Sequence, residues 1–341
     1  MRKIKVLVVD DSAFFRTILS QVLNSDPAIE VVATAGDPYQ ARDMIIRFNP
    51  DVMTLDVEMP RMSGIEFLRK LMPQHPIPTI MISSLDSVVF DAMENGAVDF
   101  VNKPQNLLGD EMTNWIKNEL LTKIKIAATV TVGNNKKPEG FKVNSTGRTY
   151  LNKVVAIGAS TGGTEAIFNV VKRFNPDIPG TVIVQHMPPG FTKMYADRLN
   201  NQCRVRVKEA ENGDIVERGR ILIAAGDKHM RLVRSGDTYR VECKPGEKVS
   251  GHCPSVDVLF KSVAEAAGRN AVGVILTGMG GDGAKGLLAM RRAGAHTIGE
   301  AEQTCVVYGM PKVAYDIGAV EFQMPLENVA AKIYNILNSM T

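Results

Sequence analysis

Residues 4–12, Ile-Lys-Val-Leu-Val-Val-Asp-Asp-Ser, set the grammar of the first half of the chain. Ile4 to Val9 is mainly apolar and β-branched, the pattern of a strand covered on both faces. Asp10 and Asp11 end it. Ser12 then stands where a helix cap belongs, ahead of Phe15, Ile18, Leu19, Val22 and Leu23 at the helical period. Further strand runs fall at Glu30 to Ala33, Val52 to Leu55, Thr79 to Ile82 and Asp99 to Val101. Helical patterns separate them, and a last one carries Met112, Trp115, Ile116, Leu120 and Ile124. Such alternation predicts an α/β domain with a five-stranded, doubly wound parallel sheet and helices on both faces.

From about Thr129 to Thr149 the periodicity fails. TVTVGNNKKPEGFKVNSTGRT is polar and holds glycine, proline and lysine, as a linker does. A surface hairpin at TVTVGNNKK is the lesser alternative. Strand–helix alternation resumes at Lys153, where VVAIGAS, TVIVQH, RILIAAG and AVGVILTG read as buried strands. Leu259, Phe260, Val263 and Ala267 mark one helix, and Leu326, Val329, Ile333 and Leu337 another. MRLVRSGDTYRVEC predicts an antiparallel hairpin turning at Ser235-Gly236-Asp237. The second half is therefore expected to be a larger, Rossmann-like α/β domain with a mixed sheet and a β-hairpin. The expected divisions are 3–122, a linker over 123–149, and 150–341.

The chain's 341 residues suit two domains. Its composition, 45% hydrophobic and 23% charged, is that of a globular protein. A net charge of +3, from 40 basic and 37 acidic residues, is too slight and dispersed to announce a nucleic-acid partner. No apolar run approaches the ~18 residues that span a bilayer, so no membrane insertion is expected. The aspartates also interrupt the N-terminal apolar stretch before it could serve as a secretory signal. Cys203, Cys243, Cys253 and Cys305 lack paired or C-x-x-C spacing. They read as reduced thiols of a cytoplasmic protein.

Asp10 and Asp11 end the first strand and Asp56 ends the third, at the edge where open parallel sheets bind ligands. Three converging carboxylates repel one another and call for a hard cation, with magnesium the best fit. Ser83 ends the fourth strand and Lys103 follows the fifth, so a hydroxyl and an ammonium reach the same spot. The Lys103-Pro104 bond is a candidate for the cis form. This constellation resembles the receiver domain of two-component response regulators over residues 3 to about 122. The resemblance implies a flavodoxin-like fold, Asp56 as phospho-acceptor from a histidine kinase, and Mg2+ held by Asp10, Asp11 and Asp56. It also implies that Ser83 and Lys103 bind the phosphoryl oxygens and that Phe100 reorients with Ser83. An aromatic in a strand is as readily a core residue.

In the second half, Gly158-Ala159-Ser160-Thr161-Gly162 lies between a strand and a helical stretch, which fits a G-x-S-x-G nucleophile elbow. Gly-rich turns of this kind also cradle phosphates. Serine needs a positioned base. Of the five histidines, His75, His186, His229, His252 and His296, His186 directly follows TVIVQ at a strand end. His252, in a loop close to a helix start, is the second choice. Asp282 sits where VGVILTGMGGD leaves a buried strand, so it is the candidate orienting acid. Its alternative role is N-cap of the helix at Ala284 to Arg292. The chain order Ser, His, Asp differs from the three triad orders of the chymotrypsin, subtilisin and α/β-hydrolase folds.

GASTGG, QHMP, GHCPSVDVLF and TGMGGDGAKG, in this order, resemble the catalytic domain of the chemotaxis protein-glutamate methylesterases, CheB in bacterial naming. The resemblance covers about 150 to 340, and a preceding receiver is that family's arrangement. It implies Ser160 as nucleophile, His186 as general acid/base and Asp282 as orienter. Thr161, Met279 and His252 would lie beside the site, with the Met279 amide an oxyanion donor. No cofactor is implied for the esterase chemistry. The implied substrates are methyl-glutamates and glutamines on the cytoplasmic region of chemoreceptors. The economical coupling is that the unphosphorylated receiver withholds Ser160 from the receptor helix until Asp56 is phosphorylated. A receiver joined to a DNA-reading module would need a short helix-turn-helix with clustered basic residues. A dinucleotide binder would need G-x-G-x-x-G with an acid about 20 residues on. The second half shows neither pattern.

Overall fold

Strand β1 (Ile4–Val9) pairs in parallel with β2 (Ile29–Ala35) on one side and β3 (Val52–Asp56) on the other. Its residues Val6 to Val9 are buried, because a central strand under two helical layers has no solvent face. With β4 (Thr79–Ser83) and β5 (Asp99–Asn102), the sheet runs β2-β1-β3-β4-β5. The computed structural model describes residues 2–84, 89–104, 109–130 and 152–340. Residues 131–149 of the expected linker lie outside that set. The chain divides into two compact units, Met1–Lys136 and Lys137–Thr341.

In the first unit, Ser12 caps helix Ala13–Asn24 by accepting from the Phe15 amide, and Phe15, Leu19 and Leu23 turn inward. The terminal helical run comprises Asp110–Trp115, a π-helical stretch at Ile116–Leu120, and Leu121–Ala127. It extends past residue 122 because Ile124 and Ala127 remain buried. Among the described residues the cis peptide is Cys253-Pro254, not Lys103-Pro104.

The second unit is built on β6 (Val154–Ala159), β7 (Gly180–Gln185), β8 (Arg206–Glu209), β9 (Ile215–Val216) and β10 (Arg220–Ile223). The hairpin strands are β11 (His229–Ser235) and β12 (Thr238–Lys244). After them come β13 (Ala271–Ile275), β14 (His296–Glu300) and β15 (Phe322–Met324). The main sheet has the order β15-β14-β13-β6-β7-β10-β8. Every pairing in it is parallel. The expected mixed sheet is corrected here. The hairpin forms a separate antiparallel sheet, β11-β12-β9.

The reason lies in its burial. Met230, Leu232, Tyr239, Val241 and Cys243 form one inward face, which packs with Leu259, Phe260 and Val263 of helix Val256–Ala267. A strand apolar on one face cannot occupy the middle of a doubly covered sheet. The order of the main sheet reverses between β6 and β13, and the carboxyl ends there form the crevice of an α/β fold. The described cysteines are free thiols. No described helix is long and apolar enough to cross a membrane.

Candidate active site and phospho-acceptor pocket

Register brings the first pocket together. Asp56 lies opposite Ile82, and Ser83 lies opposite Asn102, so Asp56, Ser83 and Lys103 all emerge at one sheet edge beside Asp10. Lys103 Nζ stands 2.7 Å from Asp10 Oδ2 and 2.6 Å from Asp56 Oδ2. The Ser12 amide donates to Asp10 Oδ1 and the Glu58 amide to Asp56 Oδ1. Burial, and then the neighbouring Asp10 charge, push the Asp56 carboxyl from its ordinary 3.8 up to about 6, against the pull of Lys103. Burial weakens the Lys103 charge, but its bonds to Asp10 and Asp56 outweigh this and raise it above the usual lysine value. Gly64 is required here. A Cβ at that position would lie 2.0 Å from the Asp56 carbonyl oxygen.

Asp10, Asp11 and Asp56 each offer a carboxylate oxygen, and these lie within 4.8 Å of one another. An all-oxygen donor set around a desolvated, charge-strained carboxylate fits a hard divalent cation such as Mg2+. Phe100 is buried, with the Lys123 ammonium 5.8 Å from its ring centroid.

The second site forms at the reversal of the main sheet. Ala159 and Gln185 are register partners, so Ser160 and His186 leave adjacent strands at the same level. The His186 amide donates to the Ala159 carbonyl at 3.2 Å. Gln185 Nε2 donates to the Ser160 carbonyl at 2.8 Å, fixing the turn from inside. Gly162, at φ 77°, leads into helix Gly163–Val171. This left-handed conformation is one that glycine adopts without a steric cost. A Cβ on Gly162 would also meet Val306 at 2.5 Å.

His186 Nε2 lies 2.8 Å from Asp282 Oδ2. The carboxylate can only accept, so Nε2 donates this bond, and in the neutral ring Nδ1 keeps its lone pair. Nδ1 is buried and has no hydrogen-bond partner among the described residues.

Asp282 does not cap its own helix. Gly283 occupies the cap of Ala284–Arg292. Asp282 instead accepts from the start of helix Val256–Ala267: Ser255 Oγ at 2.8 Å, the Val256 amide at 2.7 Å and the Asp257 amide at 3.1 Å. Asp257 Oδ1 in return accepts from the Gly286 amide at 2.6 Å, so the two helix starts satisfy each other. Burial alone would raise the Asp282 carboxyl. The His186 bond and charge, with Ser255 and Asp257, outweigh it and hold Asp282 below the carboxylate range. It stays ionised.

His252 stacks on His186 with ring centroids 3.7 Å apart and planes 5° from parallel. Its Nδ1 is 2.9 Å from the Ser250 carbonyl. Burial first, then the His186 neighbour, lower its affinity for a proton. His186, His252 and Asp282 also offer ligand atoms within 4.8 Å of one another. Two stacked imidazoles cannot both aim an in-plane lone pair at one ion, so this cluster is a poor chelate. Thr161 is buried beside Ser160, and Met279, 49% exposed, stands on the Gly-rich turn between Thr277 and Asp282.

Gln185, Ser255 and Thr277 were not singled out by sequence reasoning. Ser255 did carry a signal, as the cap residue inside the GHCPSVD motif. His229 is structural: it bonds the Glu247 carbonyl through Nε2 and accepts the Ser255 amide at Nδ1. His296 pairs with Glu321.

Fold and sites together describe a response regulator whose effector half is a methylesterase-type domain built on a parallel sheet. The CheB methylesterase family profile matches residues 155–333, and the response regulator receiver domain profile matches 6–116. The chain is 59% identical to protein-glutamate methylesterase/protein-glutamine glutaminase 2 of Syntrophomonas wolfei, over 100% of this chain and 99% of that protein. The Escherichia coli protein-glutamate methylesterase/protein-glutamine glutaminase is 50% identical over 98% of this chain and 97% of its own length. The crystal structure of the Thermotoga maritima CheB methylesterase catalytic domain covers 55% of this chain and 97% of its own, at 36% identity and a TM-score of 0.52. The chain belongs to the CheB methylesterase family and carries that family's catalytic domain behind a receiver domain.

Proposed function

We infer that this chain is a phosphorylation-regulated protein-glutamate methylesterase and protein-glutamine glutaminase that serves chemotactic adaptation in the cytoplasm. Its substrates are glutamate methyl esters and glutamines on the cytoplasmic helices of chemoreceptors. The observation that carries the reading is the His186 ring, anchored through Nε2 to Asp282, with Nδ1 buried and unpartnered among the described residues, level with Ser160 on the adjacent strand.

In the reaction, Ser160 Oγ attacks the ester carbonyl and gives its proton to His186 Nδ1. The carbonyl electrons move to oxygen, with the Met279 amide as candidate donor to the oxyanion. Collapse expels methoxide, which takes the proton from His186 and leaves as methanol. Water, deprotonated by the same nitrogen, then releases glutamate and restores Ser160. Asp282 holds the tautomer and stabilises the imidazolium. The ring works in the reverse sense to the chymotrypsin-type triad, in which Nε2 faces serine. Glutamine follows the same route with ammonia leaving.

In the receiver, Asp56 takes a phosphoryl group from a histidine kinase. Asp10, Asp11 and Asp56 would hold Mg2+, which when bound offsets the phosphoryl charge. Lys103 and Ser83 bind phosphoryl oxygens, and Phe100 reports the change. The unphosphorylated receiver restrains the esterase, and phosphorylation relieves it. Incubation with methyl-labelled receptor fragments tests the whole reading. Methanol release that rises with a phosphodonor supports it, and no release under either condition overturns it.

A further inference from the structure

Glu300, the last residue of β14, is wholly buried, yet it bears an ionisable carboxyl outside the Ser160, His186 and Asp282 group. Its Oε2 accepts the Thr277 amide at 2.8 Å. The ladder between β13 and β14 ends at the Ile275 and Gly299 partners, so the side chain supplies an acceptor just beyond it. Thr277 in turn holds both residues of the nucleophile turn. Its carbonyl accepts the Ser160 amide at 3.0 Å, and its hydroxyl donates to the Thr161 carbonyl at 3.0 Å. The same hydroxyl accepts the Val307 amide at 2.8 Å. Gly278 follows, so close that a Cβ there would lie 2.7 Å from the Ser160 Cβ. A shift of Thr277 is therefore a shift of Ser160.

We propose that Glu300 is a positioning residue of the acyl-transfer site, its carboxyl locking Thr277 and, through it, the backbone of Ser160 and Thr161. The proposal rests on Ser160 being the nucleophile. It extends to pH. Burial pushes the Glu300 carboxyl up to about 7, and Glu327 adds to the rise, while Thr277, Thr304 and Cys305 oppose it. Cys305, whose own thiol is pushed up by burial and by Glu300, stays protonated, and Glu302 stands beside it. An ionised carboxylate grips the Thr277 amide more strongly than a neutral acid does. The neutral acid must also place a proton, and Oε1 has no hydrogen-bond partner among the described residues. The lock tightens as pH rises through neutrality.

The test is the pH dependence of methanol release by the full-length chain, compared with Glu300→Gln and Glu300→Leu. Glutamine keeps an acceptor for Thr277 but does not titrate. The parent's acid limb in kcat is expected to be steeper than one ionisation, and that of Glu300→Gln to show one only. Glu300→Leu is expected to lose roughly 10–100-fold in kcat, with KM changed less than about threefold, as for a displaced nucleophile. In the parent-minus-Glu300→Gln infrared difference, a buried-acid carbonyl band should vanish near neutral pH. Identical acid limbs for the parent and Glu300→Gln overturn the proposal, even if the leucine variant does not fold. A folded Glu300→Leu with parental kcat overturns it as well. Ser160→Ala, run alongside, separates the two claims. Activity retained there sinks the nucleophile assignment and this proposal with it, whereas activity lost there beside identical acid limbs for the parent and Glu300→Gln sinks the role of Glu300 alone.

Discussion

Asp282 accepts the Ser255 hydroxyl on Oδ1 at 2.8 Å while its Oδ2 faces His186 Nε2 at the same distance. One carboxylate thus ties the start of helix Val256–Ala267 to the imidazole, and the helix start becomes part of the frame that holds His186. The positive end of that helix favours the ionised state that His186 requires.

Asp282→Asn keeps the shape but offers an amide where Nε2–H needs an acceptor. It should lower kcat by on the order of 10³–10⁴-fold, the known cost of a wrong tautomer. Asp282→Ala also strands the Val256 and Asp257 amides and should cost roughly 1–3 kcal/mol of stability. Ser255→Ala should lose about 1 kcal/mol as a missing cap, with a much smaller effect on kcat. Steady-state methanol release and denaturant melts of the three variants check the ranking.

His186 and His252, the first and second choices of the sequence for the base, stack closely, and of the two it is His186 that has the bond to Asp282. His186→Ala should lose about 10²–10⁴-fold in kcat, the usual contribution of a general base. His252→Ala should lose no more than roughly tenfold, as expected for a packing neighbour. A severe His252 effect beside a mild His186 effect would reverse the assignment.

Asp56 should take label from acetyl phosphate with Mg2+, and Asp56→Asn should abolish it. Its folded value near 6 lies above the ordinary 3.8, so the folded state favours the neutral acid. The ionised carboxyl is therefore a liability that grows as pH rises through about 4 to 6 and is fully present at pH 7. Without Mg2+ at pH 7, Asp56→Asn should stabilise the receiver by roughly 1–3 kcal/mol, an advantage that fades below pH 4. Added Mg2+ should stabilise the parent more than the variant. Melts across pH with and without the ion decide it, and an asparagine variant less stable than the parent at pH 7 contradicts this electrostatics.

Much of this was legible because it stands at strand ends. Asp10, Asp56, Ser160, His186 and Asp282 each close an apolar strand or follow it within a short turn, so local pattern and the parallel-sheet rule locate them together. What escaped depends on contacts between distant segments. Nothing local marks Glu300 as the acceptor for Thr277, or Asp282 as the partner of a helix start 26 residues earlier. The hairpin strands were found, but not their separation from the main sheet, which depends on Leu232 and Val241 packing on a helix later in the chain. The two-residue β9 and three-residue β15 are too short to show a period.

Deleting residues 1–140 should raise methanol release above that of the unphosphorylated full chain and remove its response to phosphodonor. A tenfold gain corresponds to about 1.4 kcal/mol of restraint. Phe100→Ala should weaken the response while leaving Asp56 labelled. A truncated chain slower than the unphosphorylated parent would mean that the receiver activates the esterase and does not restrain it.

Every step of the proposed acyl transfer passes through the Ser160 hydroxyl. Methanol release from methylated receptor fragments should be compared between the parent and Ser160→Ala, both with phosphodonor. The variant should melt within about 1 kcal/mol of the parent, since one hydroxyl contributes little to the fold. Its release should fall to background, and His186→Ala added to it should cost nothing more, because the residues act as one unit. A folded Ser160→Ala that keeps more than about a tenth of parental activity would contradict the nucleophile assignment and the mechanism built on it.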